Sequence, residues 1–120
     1  MQLSALITLN ERDISICDTV FASMREQDHD ELVIVLDRTP AALADYARRW
    51  WQSDKRTRFV SIDGEPGWRS PVRAWNVGFR AVTGDFVYCF SSETVQRPQN
   101  IEHARALLAA EPRTLIFGKA

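Results

Sequence analysis

The chain has 120 residues, with fifteen Lys and Arg against sixteen Asp and Glu, a formal charge of −1 and two cysteines. This length suits one small α/β domain, 1–120, and the balanced charge excludes a global basic field that would gather nucleic acid or anionic lipid. The short apolar run at the N-terminus is broken by Asn10, Glu11 and Arg12, so neither a signal peptide nor a membrane span is expected, and a cytoplasmic location is.

The first strand is predicted at Leu3 to Thr8. A helix follows, in which Ile14, Cys17, Val20, Phe21 and Met24 recur at three- and four-residue steps and so share one buried face. His29, in the turn that follows, reads as a surface residue. The second strand spans Glu31 to Asp37. Thr39-Pro40 then starts a helix as cap plus proline, with Leu43, Tyr46, Ala47, Trp50 and Trp51 on its inner side.

A third strand is predicted at Arg58 to Ile62, and Ser70-Pro71 repeats the start signal before a helix over Val72 to Val82. The fourth strand is Asp85 to Phe90, and a last helix runs from about Asn100 to Ala110 with Ile101, Ala104, Leu107 and Leu108 inward. A fifth strand is predicted at Thr114 to Phe117. The least ordered segments are expected at Ser53 to Arg56 and Gly64 to Arg69, and Cys17 and Cys89 read as small core residues rather than disulfide or metal partners. Strands alternating with helices imply a mostly parallel sheet in a three-layer sandwich, whose ligand site lies at the carboxyl ends of the strands.

Four segments in that order carry a resemblance. They are Ser4 to Glu11, ending in Thr8-Leu9-Asn10-Glu11; Glu31 to Thr39, ending in Asp37-Arg38-Thr39; Arg73-Ala74-Trp75-Asn76-Val77-Gly78; and Gly84 to Glu93, ending in Ser91-Ser92-Glu93. Together they resemble the N-terminal, nucleotide-sugar-binding half of an inverting family 2 glycosyltransferase of the GT-A fold, over nearly the whole chain. The resemblance implies that Thr8, Asn10 and Asp37 lie near the base and ribose of a nucleotide-diphosphate sugar of uridine type. It puts Asn76 near the diphosphate and Glu93 at the position of a Mn2+ or Mg2+ ion. Gly78 would let its helix approach the sheet closely. On the residues alone, Asn10 could equally cap the helix that follows it.

The segments also depart from the family pattern. Leu36 stands for the first acid of a pair, Arg38 for a glycine and Trp75 for an arginine. Ser91-Ser92-Glu93 keeps one carboxylate of an Asp-x-Asp-type motif, so two readings of the phosphate site follow. In one, Glu93 is a lone metal ligand; in the other, the serines and a basic residue such as Arg97 or Arg73 meet phosphate without metal. A general base for transfer is expected downstream of the metal strand, where Glu102 and Glu111 read as solvated, as does His103. The expected function is therefore binding of a nucleotide-diphosphate sugar, with transfer to an acceptor or, alternatively, a non-catalytic binding or association module lacking the acceptor half. An open sheet edge makes a homodimer the simplest cover.

Overall fold

In the computed structural model, which describes residues 1–68 and 70–116, four strands and four helices alternate along the chain. They are β1 (Leu3–Leu9), α1 (Ile14–Arg25), β2 (Glu31–Asp37), α2 (Ala41–Trp51), β3 (Thr57–Ile62), α3 (Val72–Ala81), β4 (Phe86–Phe90) and α4 (Asn100–Ala110). The sheet order is β3-β2-β1-β4 and every pairing is parallel. A parallel pairing needs a crossover, and crossovers are almost always right-handed, so their face depends on the direction in which the chain steps across the sheet. The steps from β1 to β2 and from β2 to β3 go one way. The step from β3 to β4 goes back across the sheet to the far side of β1, and α3 therefore packs on the opposite face from α1 and α2.

Strand alternation divides the core accordingly. On one face, Ala5, Ile7 and Leu9 of β1 and Leu32, Ile34 and Leu36 of β2 pack with Cys17, Val20, Phe21 and Met24 of α1, with Leu43, Ala47 and Trp51 of α2, and with Ile101 and Leu108 of α4. On the other, Leu6, Val33, Val35 and Ile62 pack with Ala74 of α3. Each fully buried Leu, Ile or Phe contributes about 1.5–3 kcal/mol relative to exposure, so the larger cluster dominates the folding energy. Close approach of α3 depends on Gly78, where a Cβ would fall 2.5 Å from Leu6 Cδ1.

The polar network fixes the helices at their ends. Asp13, rather than Asn10, caps α1, its Oδ1 accepting from Ser15 N at 2.8 Å. Both prolines sit one position earlier than expected: Pro40 and Pro71 are the cap residues, and their carbonyls accept from Ala44 N and Trp75 N. Thr39 does not cap α2, because its hydroxyl donates to Leu9 O at 2.6 Å and ties the β2 loop to the end of β1. The N-terminus of α4 is held from a distance, with Gln27 Oε1 accepting from Ile101 N at 3.1 Å and Gln27 Nε2 donating to Arg97 O at 2.9 Å.

Several expectations change. Thr114–Ile116 form no strand, and Phe117 lies outside the described residues. Leu107 is exposed, because the buried stripe of α4 is Ile101, Ala104 and Leu108. Cys89 is exposed as well, since β4 pairs with β1 on one side and its α3-facing side chains, Val87 and Cys89, lie beyond the reach of α3. Segment 53–56 is a hydrogen-bonded turn in which Arg56 binds Asp54 and the carbonyls of Gln27 and His29. Among the described residues no helix is long and apolar enough to cross a membrane.

His29 is not a surface residue. It is 2% exposed, and neither ring nitrogen has a hydrogen-bond partner. Burial, reinforced by the neighbouring Arg56 cation, pulls its pKa down from 6.5 to about 4. Between those values the unfolded chain holds the extra proton and the folded chain does not, so stability must fall as pH drops from about 6.5 to about 4. The loss expected is on the order of 3 kcal/mol. Urea unfolding of the wild type and of His29→Leu from pH 7 to pH 4 checks this: the variant should show a distinctly flatter slope over that interval.

Candidate functional site

Because all four strands are parallel, Leu9, Asp37, Ile62 and Phe90 end on one rim of the sheet. The chain leaves β1 toward β2 on one side and returns to β4 on the other. The crevice between the ends of β1 and β4 is therefore the topological switch point, where an open α/β sheet has room for a ligand between diverging loops. Its walls are the β1–α1 loop, residues 10–13, and the loop after β4, residues 91–99.

Asn10 opens the first wall and is half-buried. Its Nδ2 donates to Gly67 O at 3.3 Å, which draws the loop before α3 over the rim, while its Oδ1 is buried with no hydrogen-bond partner. Leaving such an acceptor unsatisfied costs about 1–3 kcal/mol, which a ligand N–H or hydroxyl could recover. Trp68, next to Gly67, is 92% exposed, whereas Trp51 is buried and Trp50 and Trp75 pack at the edges of the two cores. Thr8 lies inside β1 opposite Val35, on the α3 side of the sheet, and is half-buried.

Asp37 ends β2 on the same side, opposite Ile62, and is 3% exposed. Arg38 covers it. Arg38 Nε stands 3.6 Å from Asp37 Oδ1, too far for a hydrogen bond but within ion-pair range. The Arg38 backbone has φ 48°, the left-handed conformation that a glycine adopts freely, so the turn after β2 keeps a glycine's geometry although the residue is arginine. Its side chain lies along Gly64, where a Cβ would come within 2.4 Å of Arg38 Cδ. Gly64 itself has φ 142°, which restricts the position to glycine on both grounds.

On the second wall, Ser91 and Glu93 are exposed and Ser92 is buried. Ser91 Oγ accepts from Glu93 N at 3.2 Å and shapes the turn. The loop is anchored further on, where Gln96 N donates to Ser23 Oγ of α1 at 2.9 Å. The two walls are joined by Arg12: its Nε donates to Ser92 Oγ at 3.1 Å and its Nη2 pairs with Glu93 Oε1 at 2.8 Å. Sequence reasoning missed Arg12 because only the fold brings positions 80 residues apart together.

Thr8, Asn10, Asp37 and Glu93 thus belong to neighbouring strand ends of one rim. Asn76 is placed differently. It is exposed on α3 and lines a shallow depression of about 580 Å³ with Ser70, Val72, Arg73, Val77 and Arg80. Arg73 shares that depression, and Arg97 is exposed on the β4 loop. Glu102, His103 and Glu111 are exposed on α4 or at its end.

The residues after β4 do not fit a resident divalent cation. Mg2+ and Mn2+ need hard oxygen donors, and here two neutral serines accompany one carboxylate that is already paired with a guanidinium. No group of three or more His, Cys, Asp or Glu able to hold a metal occurs among the described residues.

Comparison with solved structures agrees with this architecture. Staphylococcus aureus TarS 1–349 superposes with a TM-score of 0.78 at 16% identity, over 93% of this chain and 33% of that one. TarS has also been solved with UDP-GlcNAc, at a TM-score of 0.75 and 17% identity over 93% of this chain and 32% of that one. The mannosyltransferase PcManGT from Pyrobaculum calidifontis, solved with GDP-Man and Mn2+, gives a TM-score of 0.73 at 18% identity over 90% and 32% of the two chains. The present chain therefore spans about a third of the length of these proteins. No curated protein matches it. The sequence model of glycosyl transferase family 2 matches residues 5–120, nearly the whole chain, and on that match, with the GT-A-like sheet and its switch point in place, the chain belongs to glycosyl transferase family 2.

Proposed function

We propose that this chain binds a nucleotide-diphosphate sugar of uridine type along the sheet rim, as the donor-binding portion of a sugar transferase. The observation that carries this reading is the unpartnered Asn10 Oδ1 at the switch point, a buried acceptor that a donor group meets once the loop at Gly67 lifts from it. Uracil N–H and the ribose hydroxyls are such donors, and Thr8 and Asp37 flank the same region on β1 and β2. The diphosphate then extends toward the β4 loop, while Asn76, on the α3 depression, stands apart from this path. The neighbours solved with UDP-GlcNAc and GDP-Man support a nucleotide sugar as the ligand class.

A Mn2+ or Mg2+ ion, as accompanies GDP-Man in PcManGT, would have Glu93 as its one protein carboxylate and would first have to displace Arg12. Transfer itself needs a general base within hydrogen-bond reach of an acceptor hydroxyl. Exposed Glu102 on α4 and Glu111 at its end are not built into the rim, so the donor site is the activity to test first. Calorimetric titration with uridine and UDP is the direct measurement. Asn10→Ala should lower affinity for both roughly tenfold without destabilising the fold, since it removes one long hydrogen bond and, with it, the unsatisfied buried acceptor. Equal affinity in wild type and variant would refute the assignment.

Arg38→Gly tests Asp37. The substitution relieves about 1 kcal/mol of left-handed strain and adds a similar entropy cost in the unfolded chain, so melting should hardly change. Taking the Arg38 guanidinium away from Asp37 should raise uridine affinity, and a lower affinity would argue against Asp37 in the base site.

The association reading rests on β4, which pairs only with β1 among the described residues and leaves Val87 and Cys89 exposed beside an open edge. Pairing of two such edges would yield a homodimer. Multi-angle light scattering should then show a dimer that Val87→Lys converts to monomer; a monomeric wild type sinks this second reading.

A further inference from the structure

The β1–β4 crevice contains a fixed cation of its own. Arg12 reaches across it with all three guanidinium nitrogens held: Nη1 donates to Glu11 O at 2.7 Å, Nε to Ser92 Oγ at 3.1 Å, and Nη2 pairs with Glu93 Oε1 at 2.8 Å. A guanidinium carries five N–H donors, so these contacts orient it and leave two N–H groups without a partner. The side chain remains 34% exposed, so a ligand in the crevice can reach it. Its base is firm, because Asp13, the next residue, is locked as the α1 cap by bonds to Ser15 N and Ser15 Oγ at 2.8 and 2.5 Å.

Charge balance points the same way. Two carboxylates and a divalent cation sum to zero, and so do Glu93 and Arg12. The strand end has exchanged one acid for serine and supplies a monovalent cation from the opposite wall. A guanidinium fork matches two oxygens of a phosphate group and binds them without a metal bridge.

We propose that Arg12 is the phosphate-binding cation of this site and that nucleoside diphosphates bind here without a divalent metal. This rests on the reading of the rim as a nucleotide site, and it adds that Glu93 orients the cation instead of ligating a metal. Serine at position 92 completes the cradle by accepting from Nε, which fixes the guanidinium plane with Nη2 on the Glu93 carboxylate and Nη1 on Glu11 O.

Calorimetry with uridine and UDP, each in EDTA and in Mn2+, tests the proposal on wild type, Arg12→Ala, Arg12→Lys and Glu93→Gln, with circular dichroism confirming that each variant folds. UDP should bind wild type equally with EDTA or Mn2+. Arg12→Ala should lose roughly tenfold or more for UDP while uridine binding is unchanged, and Arg12→Lys should recover part of that loss. Glu93→Gln removes the competing carboxylate and should tighten UDP in EDTA, whereas a metal ligand would give the opposite sign. A gain of about tenfold in wild-type UDP affinity on adding Mn2+ overturns the proposal, as does weaker UDP binding by Glu93→Gln or an unaffected Arg12→Ala. If uridine binds and UDP requires Mn2+, only the role of Arg12 fails; if neither ligand binds, the nucleotide reading fails with it.

Discussion

Strand β1 hydrogen-bonds in parallel to β2 on one side and to β4 on the other, and this central position governs the rest of the molecule. Five of its seven residues, Ser4, Ala5, Leu6, Ile7 and Leu9, are fully excluded from solvent, and the four apolar ones serve the cores on both faces. A strand flanked in this way forces the chain to reverse its direction of travel across the sheet. Given right-handed crossovers, the reversal puts α3 alone on one face and opens a crevice where the loops after β1 and β4 part. The same constraint makes Gly78 necessary, because α3 rests directly on Leu6.

What gathers at that crevice differs from what a metal-bridged diphosphate site needs. Negative charge has been reduced at the end of β4, and a positive side chain has been brought across from the β1–α1 loop. At the end of β2 another arginine, Arg38, occupies a backbone conformation suited to glycine and shields a carboxylate from solvent. Both arginines lie on the rim, and both take over positions where a more open site would offer acid or backbone. The two arginines are coherent electrostatically: Asp37 and Glu93 each have a guanidinium beside them.

The element order was legible because the chain alternates apolar runs of strand length with helical periodicities and punctuates them with Pro, Gly and Asn. The β2 range and the α4 range read from the pattern coincide with those observed. Misreadings fell where tertiary contacts override local pattern. Leu107 has the right residue type for the buried stripe but lies off the sheet-facing side of α4, and His29 is polar yet enclosed beside Arg56 and Asp54. Thr39 has a cap residue's chemistry, but the nearby Leu9 carbonyl is the stronger competitor for its hydroxyl. Cys89 sits in an apolar strand whose outer face no helix reaches.

By itself the sequence determined the α/β class, the parallel sheet and the set of polar residues at strand ends, because hydrophobic period and turn chemistry are local properties. It also carried the family signature, spread over four segments that no single one could establish. Tertiary structure alone decided which of those polar residues face one another. The Arg12–Glu93 pair, the covering of Asp37 by Arg38 and the unpartnered Asn10 oxygen depend on how β1 lies between β2 and β4, and long-range pairing of this kind leaves no periodic trace along the chain.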